Sequence, residues 1–357
     1  MSANLSCDVL IVGLGPAGCR AAAEVAARGL KVMGVDRRRY PGEPVQCAEF
    51  VPALLGQELD TPSAARRQQI TEMATFVEDE PAYYRDDFRG QMIDRAEFDR
   101  QLLTKARARG ADCRFGMVLR SLDANGVALL SDGARVTARV VVGADGPRSG
   151  VGAAIGQVNL HLVETRQVTV PLSQPHKATD IFLSANLVGG YGWMFPKGAF
   201  ANIGAGVEPA AKARLKKLVA DLHARLVAEG RVGSGVIRHT GGAIPVGGML
   251  TPFGRLGAAQ VLLAGDAAGL ANPITGAGIP AAVISGALAG QAAAALVAGE
   301  VDAAAAYEEE LTDVFGASLD KAVRRRRSIL AVHAVNRTPK PPELRRTWIA
   351  YPEYWAA

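Results

Sequence analysis

Three glycines with the spacing Gly13-x-Gly15-x-x-Gly18 stand close to the amino terminus. Each has a physical role in binding a dinucleotide. Gly13 permits a tight turn, Gly15 lets the backbone approach a pyrophosphate, and Gly18 lets a helix pack closely on a strand. An apolar run, Val9 to Val12, precedes the turn, and an alanine-rich stretch follows it. This order predicts that the first N–H groups of a helix bind phosphates.

A second strand completes this unit. The apolar run from Lys31 to Val35 ends at Asp36, and a helix is predicted between the two strands over about Ala17 to Arg28. A carboxylate at the end of the second strand can accept hydrogen bonds from a ribose. The unit therefore predicts an adenine dinucleotide site. Its candidate residues are Gly13, Gly15, Pro16, Ala17, Gly18, Asp36 and Arg37.

Two later stretches indicate which dinucleotide is bound. The first, VVGADGPRSG, runs from a predicted strand into Asp145. The second runs from an apolar strand, Val261 to Ala264, through a Gly-Asp pair and an Asn-Pro loop into a glycine-rich helix start. Taken by itself, Asp145 would fit an ordinary turn. A domain that binds only NAD needs neither of the two stretches, so their presence together indicates a different dinucleotide. The candidate residues here are Asp145, Gly265, Asp266, Gly276, Ala277 and Gly278.

In this order the three motifs resemble the FAD-binding domain of the flavoprotein hydroxylase and reductase superfamily. The resemblance implies that Asp266 binds the ribityl chain of FAD. It also implies that Gly276 and Gly278 let the isoalloxazine edge lie against a helix N-terminus, whose positive end would stabilise the anionic reduced flavin. This superfamily often places an arginine near the cofactor at the position of Arg95. A solvated helix charge is the alternative role for that residue.

Residues from about 155 to 244 have a different pattern. Segments such as HLVETRQVTVPLS and AFANIGAGV alternate apolar and polar residues, as antiparallel strands do. We therefore predict an α/β fold with a Rossmann-like FAD/NAD(P)-binding domain built on a parallel sheet. An inserted α+β substrate domain with an antiparallel sheet would follow, as in p-hydroxybenzoate hydroxylase-like proteins. The predicted boundaries are residues 1–154 and 251–335 for the FAD domain, 155–250 for the substrate domain and 336–357 for a C-terminal tail.

Two further segments resemble the geranylgeranyl reductase family. Residues 191–198, YGWMFPKG, match its Y-x-W-x-F-P-x-G signature. Residues 44–49, PVQCAE, resemble its cysteine segment after the second strand. Members of this family reduce isolated carbon–carbon double bonds in prenyl chains. The resemblance implies an FAD-dependent reductase with a prenyl or related apolar substrate.

The residues of these two segments suit that reaction. Reduction of an unactivated alkene needs a flavin hydride on one face, a nearby proton source and a dry cavity. Cys47 would supply a proton or gate the flavin, with Glu49 adjusting its pKa. The alternative role for Cys47 is that of a small buried hydrophobe, and the alternative role for the aromatic residues is a core cluster. The candidate catalytic residues are Cys47, Glu49, Tyr191 and Trp193, and the candidate substrate-binding residues are Tyr191, Trp193, Phe195 and Pro196.

Other functions are compatible with the same fold. An aromatic hydroxylase would use oxygen, and a redox enzyme with a sulfur-containing acceptor, such as one in lipoate assembly, would exchange thiols at Cys47. A flavin carrier would have no substrate. Cys47 and the Tyr-x-Trp-x-Phe-Pro segment favour the alkene reductase. The sequence contains one G-x-G-x-x-G motif at a strand end, so we expect the electron donor to be transiently bound NAD(P)H or a ferredoxin.

Composition narrows the partners. The net charge of +5 is mildly basic; it suits a phosphate-rich cofactor or an anionic membrane surface and does not indicate nucleic acid. The four cysteines lack metal-ligand spacing and indicate reduced thiols in a cytoplasmic protein. Residues 267–298 carry no charge, but their glycines, prolines and alanines predict a buried helix rather than a membrane span.

The C-terminal region combines cations and aromatic residues. Arginines 324–327 are followed by Trp348, Tyr351, Tyr354 and Trp355. Cations attract anionic headgroups and aromatic rings favour the interface, so this region predicts peripheral, salt-sensitive membrane contact. The alternative is that the arginines contact carboxylates and the aromatic residues close the C-terminus onto the core.

Overall fold

Two eight-stranded sheets and one three-stranded sheet organise residues 4–53 and 61–356, the part of the chain that this computed structural model describes. The strands are β1 (Asn4–Val12), β2 (Val32–Asp36), β3 (Phe50–Pro52), β4 (Arg66–Ile70), β5 (Glu72–Val77), β6 (Tyr83–Arg85), β7 (Gly90–Ile93), β8 (Asp112–Phe115), β9 (Leu119–Leu122), β10 (Ala128–Leu130), β11 (Arg135–Gly143), β12 (Leu162–Pro171), β13 (Ala178–Leu183), β14 (Gly192–Lys197), β15 (Phe200–Val207), β16 (Arg238–Thr240), β17 (Ala243–Pro245), β18 (Phe253–Leu256) and β19 (Ala259–Leu263). The helices are α1 (Pro16–Ala26), α2 (Arg95–Ala108), α3 (Gly150–Ala154), α4 (Leu215–Ala228), α5 (Ile279–Ala298), α6 (Ala303–Leu311), α7 (Ala317–Ala334), α8 (Pro341–Arg345) and α9 (Pro352–Trp355).

The first large sheet is parallel at its centre. Its order is β18-β19-β11-β1-β2-β8, with β10 and β9 added antiparallel beside β11. The end of β1 and all of β2 are buried, which explains why both read as continuous apolar runs. Helix α1 connects them, and it begins at Pro16 and ends at Ala26. The predicted strand, turn, helix and strand, and with them the predicted Rossmann-like core, are confirmed.

Helix α5 covers α1 at close range. A Cβ at Gly286 would lie 2.2 Å from the carbonyl oxygen of Ala17, and a Cβ at Gly290 would lie 2.7 Å from that of Ala21. Among the described residues, α5 is also the one helix that is long and apolar enough to cross a membrane. Core helices meet the same two criteria. The glycine contacts therefore favour the buried helix that the uncharged composition predicted.

The second large sheet is mostly antiparallel, as predicted. Its order is β16-β12-β15-β14-β13-β5-β6, with β17 also paired to β12. Helix α4 packs on one face through Leu215, Val219 and Leu226, which join a cluster with Val168 and Ile203. Strands β5 and β6 enter this sheet from residues 72–85, so the sheet also draws on the segment before residue 155. The domain boundaries given above stay a prediction.

The C-terminal aromatic residues mostly pack inward. Trp348, Tyr351 and Tyr354 are buried, whereas Trp355 is 57% exposed. Arg325 Nε donates to the Tyr354 carbonyl oxygen at 3.0 Å, and the buried Arg326 bonds Glu208. Three of the four C-terminal aromatic residues therefore close onto the core, and Trp355 stays exposed. Membrane contact stays a prediction.

Replacement of Gly286 by alanine tests the close contact of α5 with α1. The added Cβ meets backbone that cannot move alone, so we expect a loss of about 1–3 kcal/mol in the free energy of unfolding. Thermal or urea unfolding measures it. Gly235→Ala is the control, because a Cβ there meets no atom within 4 Å. Equal stability of the two variants would contradict the described packing.

Candidate cofactor and substrate site

One large cavity is lined by residues of both large sheets. Its volume is about 1680 Å³, whereas a pocket for one small molecule usually has about 300–1,000 Å³. The cavity wall includes every predicted site residue except Gly18 and Pro196. Gly18 packs α1 on the turn, and Pro196 is buried in β14. The predicted cofactor motifs and the aromatic segment therefore share one space.

The glycine turn has the geometry that its sequence implies. Gly13 has a φ of +93°, and a Cβ there would lie 2.3 Å from the Ala144 carbonyl oxygen. A Cβ at Gly18 would lie 1.8 Å from the Gly13 carbonyl oxygen. At Gly15, by contrast, a Cβ would meet only Arg38 Nη2, at 3.6 Å. The backbone at Gly15 thus faces the cavity where α1 begins, as a phosphate site requires.

Asp36 is engaged by the protein itself. Its Oδ2 accepts the Leu14 N–H at 2.8 Å, and both oxygens accept the Arg38 guanidinium, at 3.1 and 2.9 Å. Burial opposes ionisation, but Arg38 outweighs it, so the pKa of Asp36 lies below its ordinary value. A ribose hydroxyl would share this acceptor. Arg37 also lines the cavity, but its side chain is exposed.

Asp266 presents a carboxylate to the cavity without a partner. Among the described residues, no donor bonds either oxygen, and burial raises its pKa to about 6 despite the nearby charge of Arg95. A Cβ at Gly278 would lie 3.0 Å from Asp266 Oδ1, so that glycine leaves the carboxylate accessible. A half-buried carboxylate that lines the cavity and accepts no hydrogen bond from the described residues suits a hydroxyl-rich ligand. The glycine turn and Asp266 together fit FAD, which they would hold at its pyrophosphate and ribityl chain.

Asp145 lines the cavity but is satisfied locally. Its oxygens accept Ser149 Oγ at 2.5 Å and the Gly150 N–H at 2.7 Å, at the start of α3. Burial raises the pKa of Asp145, against these hydrogen bonds. These contacts are those of a turn, and a role in binding the cofactor stays a prediction.

The Cys47 thiol lies beside Arg95. Burial raises the pKa of Cys47, and the positive charge of Arg95 only partly opposes this. Arg95 itself is 16% exposed and forms two hydrogen bonds to the buried Asp99, at 3.1 and 3.2 Å. It is therefore no solvated helix charge. The thiol therefore stays protonated at neutral pH.

Glu49 holds in place the loop that carries Cys47, residues 44–49, which we call the Cys47 loop. It is 1% exposed, and its carboxylate binds Lys197 Nζ at 2.8 Å, Asn202 Nδ2 at 3.2 Å and Arg238 Nη2 at 3.3 Å. Its Oε1 also accepts the Arg95 N–H at 3.1 Å. Because donors from three strands and from α2 surround it, Glu49 acts as a positioning residue. A direct catalytic role stays a prediction.

The aromatic segment forms a continuous wall of the cavity. Tyr191 and Trp193 have ring centroids 5.6 Å apart, and Trp193 and Phe195 have centroids 6.2 Å apart. The Tyr191 hydroxyl donates to the Thr275 carbonyl oxygen at 2.6 Å, and Trp193 Nε1 donates to Gln167 at 3.0 Å. Because the Tyr191 hydroxyl and the Trp193 N–H both have hydrogen-bond acceptors in the protein, the ring faces offer flat apolar surface to a ligand.

Sequence reasoning missed several residues of this site. Arg38 lies over the glycine turn, Trp348 packs against Tyr191 at 4.7 Å, and Lys197 and Arg238 hold Glu49. Lys197 stood inside the quoted YGWMFPKG motif, so a cation in a buried strand was an available signal. Arg238 lies far from every motif, and Trp348 stood in the C-terminal region that was predicted to contact a membrane. The place of both in this site depends on tertiary packing.

Solved structures show the class of fold. The fold matches a geranylgeranyl bacteriochlorophyll reductase-like protein from Thermoplasma acidophilum with a TM-score of 0.81, 23% identity, and coverage of 92% of this chain and 88% of that one. It also matches a probable FAD-dependent monooxygenase from Pseudomonas aeruginosa with a TM-score of 0.69, 19% identity, and coverage of 95% and 98%. The chain thus has the p-hydroxybenzoate hydroxylase-like fold of FAD-dependent oxidoreductases.

Sequence relatives define the family. A digeranylgeranylglycerophospholipid reductase from Methanocella arvoryzae is 33% identical over 345 residues, which cover 88% of this chain and 85% of that protein. One from Methanothrix thermoacetophila is 33% identical over 342 residues, with coverage of 87% and 84%. A family model described as lycopene cyclase protein matches residues 8–177. The chain belongs to the geranylgeranyl reductase family.

Removal of the Asp266 carboxylate tests the cofactor site. We expect the purified protein to be yellow with non-covalent FAD, and Asp266→Ala to lose most of it, because the ribityl acceptor is gone. Absorbance near the flavin bands, divided by protein concentration, gives the occupancy. Asp313→Ala, in the short π-helical turn between α6 and α7, is the matched control. Full flavin occupancy in Asp266→Ala would count against the assignment.

Proposed function

We propose that this protein is an FAD-dependent oxidoreductase that reduces carbon–carbon double bonds in the prenyl chains of a phospholipid or a related apolar substrate. The observation that carries the proposal is the shared cavity, whose wall contains the dinucleotide turn, the Cys47 thiol and the aromatic segment. The names of the sequence relatives support the substrate class. An apolar chain would lie against Tyr191, Trp193 and Phe195.

Residues of the chain would exclude water and hold a proton, which the flavin itself does not do. FAD, when bound and reduced, provides the hydride. The rings of Trp193, Phe195 and Trp348 exclude water from the alkene, because each is largely buried. Cys47 holds a proton at Sγ for the alkene carbon that does not receive the hydride. Its raised pKa keeps that proton in place until transfer.

The competing functions are less well supported. Solved relatives of the same fold include a probable monooxygenase, so the fold alone does not choose between reduction and hydroxylation. Thiol exchange with a sulfur-containing acceptor needs a thiolate, and burial at Cys47 disfavours the charged form. The apolar wall and the relatives' names together favour the prenyl reductase.

The electron donor and the location are part of the proposal. NAD(P)H or a ferredoxin would reduce the flavin, and the enzyme would work in the cytoplasm with peripheral membrane contact. A lipid substrate requires access to a bilayer, and the net charge of +5 and the exposed Trp355 support such contact. Lys321 lies over the Trp355 ring at 5.3 Å, so a cation and an aromatic ring are adjacent on this surface.

Anaerobic mixing of reduced protein with lipid tests the function. The protein is reduced with one equivalent of dithionite and mixed with a glycerophospholipid that carries geranylgeranyl chains. We expect flavin oxidation without oxygen, together with the gain of two hydrogens for each flavin oxidised, detected by mass spectrometry of the lipid. If the flavin stays reduced until oxygen is admitted, the reductase proposal is wrong.

Replacement of Cys47 tests the proton source in the same assay. Cys47→Ala should retain FAD and slow flavin oxidation by the lipid by about 10²–10⁴-fold, the usual contribution of a general acid. The wild-type rate should fall only as pH rises above the ordinary thiol pKa of about 8.5, because burial raises the pKa of Cys47. Cys113→Ala is the control, since Cys113 is buried in the parallel-sheet core. Unchanged rates in Cys47→Ala would restore the small-hydrophobe role.

Vesicle co-sedimentation tests the membrane contact. We expect binding to anionic vesicles at low salt and release at high salt, because surface cations are screened. Trp355→Ala should weaken binding, whereas Tyr40→Ala, which removes an exposed ring outside the C-terminal region, should not. No binding at low salt would contradict membrane docking.

A further inference from the structure

A second pocket lies behind the Cys47 loop. Its volume is about 970 Å³, and it is more open to solvent than the large cavity. Residues 44–46 and Glu49 line this pocket and also the large cavity, so the loop separates the two spaces. The start of α2, strands β12, β14 and β16, and residues 212–216 at the start of α4 supply most of the rest of its wall.

More cationic than anionic side chains line the pocket. Its cationic side chains are Arg100, Arg166, Lys197, Lys212, Lys216 and Arg238. Carboxylates pair with four of these cations: Glu49 with Lys197 and Arg238, Glu164 with Lys212, and Glu97 with Arg100. The pocket also contains Glu43 and Asp94, fewer carboxylates than cations.

Two of the cations have no anionic partner. Arg166, in β12, and Lys216, in α4, form no ion pair with any residue that the structure describes, and both line the pocket. Arg166 is half-buried and Lys216 is exposed, so a ligand in the pocket can reach both side chains. An anion with several oxygens would pair with these two cations.

We propose that this pocket is a phosphate-binding site, separate from the dinucleotide turn at residues 13–18. Clustered arginine and lysine side chains with unpaired N–H groups favour phosphate oxygens. Two phosphate-bearing reactants follow from the proposed function, on which this part rests: a reduced nicotinamide dinucleotide and the headgroup of a phospholipid. Either would reach the active cavity past the Cys47 loop.

Calorimetric titration with inorganic pyrophosphate tests the site without any turnover. The FAD-loaded protein is used, so that the dinucleotide turn is already filled. We expect saturable, salt-sensitive binding that weakens about tenfold for each cation removed in Lys216→Gln and Arg166→Gln. Lys217→Gln is the matched control, because Lys217 is the next residue of α4, pairs with Asp221 and does not line the pocket. Retained FAD absorbance confirms folding.

The outcomes of this titration distinguish a failure of the phosphate site from a failure of the proposed reductase function. Absent pyrophosphate binding, or equal loss in Lys216→Gln and Lys217→Gln, would overturn the phosphate site even if the lipid is reduced. If Arg166→Gln does not fold, the exposed Lys216→Glu gives the same test with a larger expected loss. Binding that depends on Lys216 supports the site even if no lipid is reduced.

Two kinetic measurements identify the source of the phosphate. A tenfold higher half-saturating concentration of NADPH for flavin reduction in Lys216→Gln, with oxidation by lipid unchanged, assigns the pocket to the nucleotide. The reverse pattern, measured with dithionite-reduced protein and with lipid lacking its phosphate as the comparison, assigns it to the headgroup. If Lys216→Gln changes neither half-reaction, the pocket does not bind a reactant, and the proposal is contradicted. A protein such as a ferredoxin would then deliver the electrons.

Discussion

The buried carboxylate of Glu49 is the interaction on which the arrangement of this site depends. Glu49 has a φ of +67°, a left-handed conformation that a non-glycine residue adopts only when its surroundings hold it there. Its contacts provide that hold: Lys197, Asn202 and Arg238 reach it from separate strands of the second sheet. One side chain therefore joins the loop after the parallel sheet to the sheet that carries the aromatic wall.

The contacts of Glu49 fix the Cys47 loop between two different spaces. On one side of the loop, Cys47 faces the large, mainly apolar cavity, where burial keeps its thiol protonated. On the other side, the cations that hold Glu49 belong to a basic pocket. A buried ion pair adds little net stability, because desolvation offsets the attraction, but it specifies geometry. Here it sets the position of the thiol with respect to both spaces.

The parts of the site that follow strand ends were predictable from sequence. The glycine turn, Asp36 and Asp266 each depend on a local rule, in which a parallel strand ends and a helix or turn begins. The aromatic wall was predictable from a resemblance, since alternation along β14 does not by itself separate a ligand surface from a core. Arg95 was located correctly at a helix start, but its burial against Asp99 depends on packing that no motif encodes. The contacts of Arg38 with Asp36 were not predicted, because a run of arginines has no sequence signal for which member turns inward; a cofactor contact of Arg37 stays a prediction.

Hydrogen exchange in the Glu49→Gln variant measures the central claim most directly. The account predicts faster amide exchange in a peptide covering residues 43–52, because glutamine leaves the largely buried Lys197 without its carboxylate and releases the left-handed turn. Exchange in residues 16–26 of α1, which make no contact with Glu49, should stay unchanged. Unaltered exchange in residues 43–52 would show that the loop is held by other contacts and would contradict the account.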